Sequence, residues 1–342
     1  MEHRLIEALW RRPHQGIPVW FMRQAGRYLP GYTKIRKRTE FLDLCKNPEL
    51  ASEVSVEPLE LLGVDAVIIF SDILVVLEAM GIPVVFTDRG PFMERPIASA
   101  QDIAALGDPD PEQAMGFVMD TIRAVQKRVA GRVPVLGFAG APWTLACYAL
   151  EGSPSRTFST ALKMIYHSPR ELHSLLEKMA TAVARYLRAQ VEAGAQAVQL
   201  FDTWGGLLAD DAFADICLEY CRRVLSELDG CGVPRILFVK GGGQHLEAMA
   251  DLPVEAIALD YTIDPRRARE LIGERVSLQG NLTPEALFAP VEDLRARARR
   301  LLGALGDLPG YVFNLGHGIL PGTPVEHVRD VVETVHSYSK GD

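Results

Sequence analysis

Ala66-Val-Ile-Ile-Phe-Ser-Asp72 places five consecutive apolar residues directly before a hydroxyl and a carboxylate. A run this short, and apolar on both faces, reads as a strand covered on both sides. Seven further runs complete the set, at 17–21, 133–138, 197–201, 235–239, 256–259, 276–279 and 311–314. Long amphipathic patterns lie between them. The clearest spans 171–193, where Leu172, Leu175, Leu176, Met179, Val183, Leu187 and Val191 recur at helical spacing. Helix starts repeat one device, a capping residue followed by proline, at Asn47-Pro48, Asp110-Pro111, Ser168-Pro169, Asp264-Pro265, Thr283-Pro284 and Thr323-Pro324. Ser168 with Glu171 and Thr323 with Glu326 also fit the reciprocal capping box.

Eight strands separated by helices, without a long linker, predict one domain over residues 1–342. Its expected fold is α/β, a single (β/α)8 TIM-type barrel with an N-terminal helical extension. An open doubly wound sheet would call for a Gly-x-Gly-x-x-Gly turn near the first strand, and the sequence has none.

The 342 residues carry a net charge of −8, which argues against a nucleic-acid partner. That average conceals a basic N-terminus. Residues 1–38 hold nine Lys and Arg against two Glu, a local +7, and no carboxylate occurs from Ala8 to Arg38. The apolar stretch 66–85 is broken by Ser71, Asp72 and Glu78, so no membrane span is expected. The first residues lack a hydrophobic signal core, and the five cysteines are odd in number and scattered; a reduced, cytoplasmic location is expected. Cys217 and Cys221 could share a helix face. With no His or further Cys pair nearby to complete a zinc site, they read as buried structural thiols, and no metal is expected.

In such a barrel, active groups stand just past the carboxyl ends of strands. Those positions hold Arg23, Arg27, Asp72, Trp143, Tyr148, Asp202, Thr203, Trp204, Lys240, Asp260, Asn281 and His317. Arg23 and Arg27 could form a bidentate clamp for a multiply carboxylated ligand or a solvated surface pair. Asp72 suits a general base, a metal ligand, an acceptor of ligand N–H groups, or a helix cap. His317, between glycines, could approach a ligand or sit satisfied in its loop. Lys240-Gly-Gly-Gly could cradle a phosphate but lacks the ending of a Walker loop.

Six segments together carry a resemblance. Val19-Trp-Phe-Met-Arg-Gln-Ala-Gly-Arg-Tyr-Leu-Pro30 resembles the N-terminal signature of the uroporphyrinogen decarboxylase family. Ile69-Phe-Ser-Asp-Ile-Leu74, Gly140-Ala-Pro-Trp-Thr-Leu145, Phe201-Asp-Thr-Trp-Gly205, Leu278-Gln-Gly-Asn-Leu282 and Asn314-Leu-Gly-His-Gly318 follow in the family's order. Thr203 stands where some members have Ser, and Thr283 where Asp is usual.

The resemblance implies decarboxylation of the four acetate groups of uroporphyrinogen III to give coproporphyrinogen III. It also implies that no cofactor is used and that the chain forms a homodimer with facing clefts. It carries over Asp72 and Arg27 as catalytic positions. As substrate-binding positions it carries over Arg23, Gln24, Ala25, Arg27, Arg36, Asp72, Tyr148, Phe201, Thr203 and His317. The remaining basic residues, Arg4, Arg11, Arg12, Lys34, Lys37 and Arg38, are expected to be ordinary surface charge. Two rivals differ in what they require. A corrinoid-dependent methyltransferase on the same barrel would need a His-x-Cys zinc element, which the sequence lacks, and a tetrapyrrole carrier would not need Asp72.

Overall fold

Strands that are apolar on both faces need cover on both sides, and the chain supplies it by curling one parallel sheet inside a layer of helices. The computed structural model describes residues 3–87, 90–155 and 157–339. Its strands are β1 (Val67–Ile68), β2 (Val84–Thr87), β3 (Gly90–Met93), β4 (Val135–Gly140), β5 (Ala197–Asp202), β6 (Arg235–Val239), β7 (Ala256–Ala258), β8 (Ser277–Gln279) and β9 (Tyr311–Val312). Seven of them form a parallel sheet in the order β1-β4-β5-β6-β7-β8-β9. These are seven of the eight expected runs. β2 and β3 pair separately as an antiparallel hairpin that the sequence did not disclose.

The eighth expected strand, 17–21, is reduced to a single parallel bridge between Val19 and Phe313. The cause is local. Pro18 has no N–H to donate, and the Val19 N–H is taken by the Asp65 carboxylate at 2.8 Å rather than by a neighbouring backbone. Backbone bonds still flank this segment. Phe313 N donates to Pro18 O at 2.9 Å, Trp20 N to Phe313 O at 3.3 Å, and Asp65 N to Val19 O at 2.7 Å. The architecture is therefore a curled seven-stranded parallel sheet with helices, and residues 18–20 lie between its two ends.

The N-terminal helix, Arg4–Leu9, closes one end of the interior. Leu5, Ala8 and Leu9 pack with Trp20, Ala66, Leu136, Ala197, Ile236, Ala256 and Val312. Ser277 Oγ donates to Ala8 O and Leu9 O. Two arginines expected to be surface charge instead hold this end. Arg11 donates to Gly273 O at 2.6 Å and Val276 O at 2.9 Å, and Arg4 pairs with buried Asp65 at 2.7 Å. Across the interior, Trp20 Nε1 donates to Gln279 Oε1 and Gln279 Nε2 to Gln199 Oε1.

Outside the sheet, the expected stripe lies on helix Pro169–Glu192, with every member buried except partly exposed Val191. Asn47, Asp110 and Asp264 cap their helices by accepting from Leu50, Gln113 and Arg266 N–H groups. Neither capping box forms. Ser168 makes no side-chain cap bond, and the Thr323 hydroxyl donates backwards to Leu320 O, so that helix begins at Val325 behind Pro324. Thr283-Pro284 opens only a 3-10 turn, Pro284–Phe288.

Asp65 is 5% exposed and joins three parts of the chain: Val19 N–H, Arg4, and His336 Nε2 at 2.9 Å on helix Val325–His336. Asp65→Ala should lower stability by about 2 kcal/mol, since it leaves a buried N–H without an acceptor. Urea unfolding checks this; an unchanged midpoint would mean that the segment is held without the carboxylate.

Candidate active site

Side chains of a strand alternate in direction, so every second residue of β4, β5 and β6 faces the interior. Phe201 is paired with Phe238, and Gly140 with Phe201, so these strands end at one level. Phe138, Phe201 and Phe238 meet there: the Phe201 ring lies 5.9 Å edge-on from each of the other two. They form an apolar floor. Phe201 was expected from the resemblance. Phe138 and Phe238 were not, because the cross-strand register that aligns them cannot be read from a single sequence.

Beyond Phe21 the chain turns sharply and presents the arginines. Gln24, fully buried, builds the turn: its side chain accepts from Phe21 N and donates to Ala66 O. Its carbonyl accepts the Tyr28 hydroxyl at 2.7 Å, and Ala25 is half-buried beside it. Met22 N donates to Asn314 Oδ1, and Ile319 N to Met22 O, which ties the turn to the loop after β9. Arg23 has a φ of 59°. Its stem lies so close to Gly318 that a Cβ there would collide with it, so this glycine answers a need for space.

Arg23 and Arg27 are exposed, and among the described residues neither has a carboxylate within ion-pair distance. Arg36 is placed differently. At the end of helix Pro30–Arg36, it donates to Thr39 O and lies 5.8 Å over the Phe41 ring. Lys34, Lys37 and Arg38 are exposed, as expected.

Asp72 follows β1. Oδ1 accepts from Leu74 N at 2.9 Å in a local turn that precedes helix Val75–Ala79 without capping it, and among the described residues Oδ2 makes no hydrogen bond. Desolvation pushes the carboxyl up to about 6, against the Leu74 hydrogen bond and the positive charge of Arg23. Tyr148, on helix Pro142–Glu151, belongs to the same group of charges. Burial pushes its hydroxyl up, the Asp72 charge adds to this, and Arg23 opposes it. Its ring meets Phe158 at 5.7 Å and Trp204 at 6.3 Å.

His317 stands edge-on to Phe238 at 6.0 Å. Its Nδ1 accepts from Gly318 N at 2.7 Å, so in the neutral ring the proton resides on Nε2. Burial, with Arg23 and Lys240 adding to it, pushes this imidazole down to about 4. At neutral pH it is thus an uncharged N–H donor.

Thr203 is half-buried just past β5. Trp204 beside it is clamped, its N–H shared between Thr144 Oγ1 and Asp202 Oδ1 and its carbonyl accepting from Trp143 Nε1. The structure also supplies what the sequence could not place near the cysteine pair. Asp202, Cys217 and Cys221 have ligand-type atoms within 4.8 Å of one another, all buried. Asp202 Oδ1 is already engaged by the Thr144 hydroxyl at 2.7 Å, and Cys221 together with burial pushes the Cys217 thiol well up. Three other histidines are held by structural contacts: His173 bonds Tyr220, His327 bonds Leu287 O, and His336 bonds Asp65.

An apolar floor, a desolvated carboxylate with one oxygen unengaged, arginines without ion pairs and a neutral imidazole donor suit a flat, multiply anionic ligand bearing N–H groups. Comparison with known proteins identifies the family. The family model described as uroporphyrinogen decarboxylase (URO-D) matches residues 1–338. A uroporphyrinogen decarboxylase of Azoarcus sp. (strain BH72) is 49% identical over 341 residues, covering 98% of this chain and 95% of that protein. One from Methylococcus capsulatus is 48% identical over 344 residues, covering 99% and 98%. Among solved structures, a methyltransferase from Methanosarcina mazei superposes with a TM-score of 0.82 at 24% identity, covering 97% of both chains, a likeness of fold alone. By sequence, then, this chain belongs to the uroporphyrinogen decarboxylase family.

Proposed function

We propose that this protein converts the four acetate side chains of uroporphyrinogen III to methyl groups, releasing four carbon dioxide molecules and coproporphyrinogen III. The observation that carries the reading is Asp72, a desolvated carboxylate with one free oxygen at a mouth that otherwise holds unpaired cations.

Loss of carbon dioxide from a pyrrole acetate leaves an electron pair that needs a sink. Protonation of the adjacent ring carbon creates one, a cationic iminium-like ring. The C–C bond then breaks, its electrons neutralise the ring, and protonation of the exocyclic carbon with loss of the ring-carbon proton gives the methyl group. Asp72, ionised, accepts the pyrrole N–H groups and offsets the transient positive charge. Arg23, Arg27 and Arg36 hold acetate and propionate carboxylates. Tyr148, Thr203 and the His317 Nε2–H orient the macrocycle by hydrogen bonds, Ala25 and the turn built on Gln24 line the cleft, and Phe201 lies under the rings. A guanidinium is too weak an acid to deliver the proton near neutrality, so Arg27 positions, and water or a substrate carboxyl group supplies the proton. No step in this scheme calls for a metal or an organic cofactor.

The same reading takes residues 1–342 as one domain and the sheet as a closed (β/α)8 barrel with 18–20 as the eighth stave, supported by the hydrogen bonds on both sides of Val19. It places the protein in the cytoplasm, where the five free thiols would stay reduced. Among the described residues no helix is long and apolar enough to cross a membrane. It also takes the protein as a homodimer. Leu207, Tyr261 and Phe288, exposed by 37%, 39% and 48%, are apolar side chains on the segments that follow β5, β7 and β8, the face that a second copy would cover.

Anaerobic incubation with uroporphyrinogen III, followed by chromatography of the porphyrins, tests the activity. Asp72→Asn should fold at least as stably, because an ionised carboxylate is disfavoured at that site, while kcat falls by roughly 100-fold or more; near-normal turnover would remove the electrostatic role. For the unaltered protein, kcat/KM should decline as pH drops through about 6, because the raised carboxyl is then protonated, and this acid limb should be absent from the residual activity of the variant. Phe288→Glu should shift the protein towards monomer in sedimentation velocity runs. A dimer unaffected by it would place the interface elsewhere.

A further inference from the structure

Lys240 has no part in the scheme above, yet the sheet register aims it at the same cleft. Ile236 and Phe238 on β6 face the interior core, and alternation puts Lys240, the second residue after Phe238, on that face at the mouth. Pairing of Asp202 with Val239, continued by the Lys240 N–H to Asp202 O bond at 3.0 Å, sets it beside Thr203. The backbone is held from both directions. Lys240 O accepts from Gly206 N at 3.1 Å, and a Cβ at Gly206 would collide with that carbonyl.

The side chain lies along Trp204, with Nζ 5.7 Å from the ring centroid. The Trp204 backbone is fixed by Thr144 and Asp202, and its ring packs against Phe158 at 4.5 Å and Tyr148 at 6.3 Å, so the ammonium is pre-oriented. The carboxylate that could neutralise it is engaged elsewhere. Asp260 accepts from Gly241 N through Oδ2 and from Thr262 N and Oγ1 through Oδ1. Among the described residues Lys240 has no ion pair; it and Arg23 bear on uncharged His317, and the Asp260 and Glu285 carboxylates oppose them more weakly. Two cations flanking a neutral N–H donor make a place for an anion.

We propose that Lys240 is a substrate-binding residue whose ammonium, with Arg23 and His317, holds one carboxylate of the tetrapyrrole. The inference rests on the activity proposed above and adds a specificity contact to it. Nothing about the contact is covalent, so its loss should weaken binding while leaving the chemical step in place.

Lys240→Met keeps the stem against Trp204 and removes the charge. It should raise KM for uroporphyrinogen III by roughly tenfold, with kcat within about threefold. KM should also become less sensitive to added salt. Lys240→Arg should restore most of the affinity, which a purely packing role would not predict, and Lys240→Gln provides a second uncharged variant should Met fold poorly. Inhibition by coproporphyrinogen III, which lacks the acetates, identifies the group held: a constant weakened in step with KM assigns a propionate, and an unchanged constant assigns an acetate. Unchanged KM and salt response in both uncharged variants would overturn the proposal while leaving the decarboxylase reading intact. An unaltered protein that releases no carbon dioxide would overturn both.

Discussion

The Asp65 carboxylate accepts the Val19 N–H, while the Asp65 N–H bonds the Val19 carbonyl and Phe313 bonds the neighbouring Pro18. These few contacts hold residues 18–20 between the first and last strands of the sheet. Everything distinctive about the site depends on that placement. It is what brings the Arg23 side chain, coming from the start of the chain, against Gly318 near its end. It also sets Met22 within reach of Asn314 and Ile319. A parallel sheet alone would supply Asp72, Thr203 and His317 at its carboxyl edge, without the arginines to balance a polyanion. Arg4 and His336 anchor the same carboxylate, so the first and last helices both support the segment that carries Arg23 and Arg27.

Within the mouth one physical cause acts on two groups in opposite chemical senses. Burial raises the Asp72 carboxyl to about 6 and lowers the His317 imidazole to about 4. The first leaves a carboxylate that gains from any cation or N–H donor placed against it. The second leaves an imidazole that donates without adding charge. The apolar floor of Phe138, Phe201 and Phe238 lowers the local dielectric, which strengthens both effects. Binding of a ligand with many carboxylates and converging N–H groups would relieve the unpaired charges of Arg23, Arg27 and Asp72 together.

Much of this was legible in the residues. Seven apolar runs matched strands because a strand buried on both faces leaves a continuous hydrophobic signature. Asn47, Asp110 and Asp264 announced helix starts because capping is local chemistry. The failures were of another kind. Thr323 has the composition of a capping box, but its hydroxyl is used in the preceding turn. The hairpin of β2 and β3 begins only at the end of the apolar stretch 66–85 and runs on to Met93, and its short strands, mostly part-buried or exposed, leave no continuous apolar run. Charge counting could not separate Arg4 and Arg11, which hold the closed end, from Arg23 and Arg27 at the mouth.

Sequence by itself determined the class of fold and the family, because strand burial, helix capping and the motif residues are each written in contiguous stretches. Tertiary structure alone decided which cations stay without an ion pair, which phenylalanines meet at the ends of β4 to β6, and that His317 is a neutral Nε2–H donor. Those depend on cross-strand register and on desolvation, both set by residues far apart in the chain, and no stretch of sequence encodes them on its own.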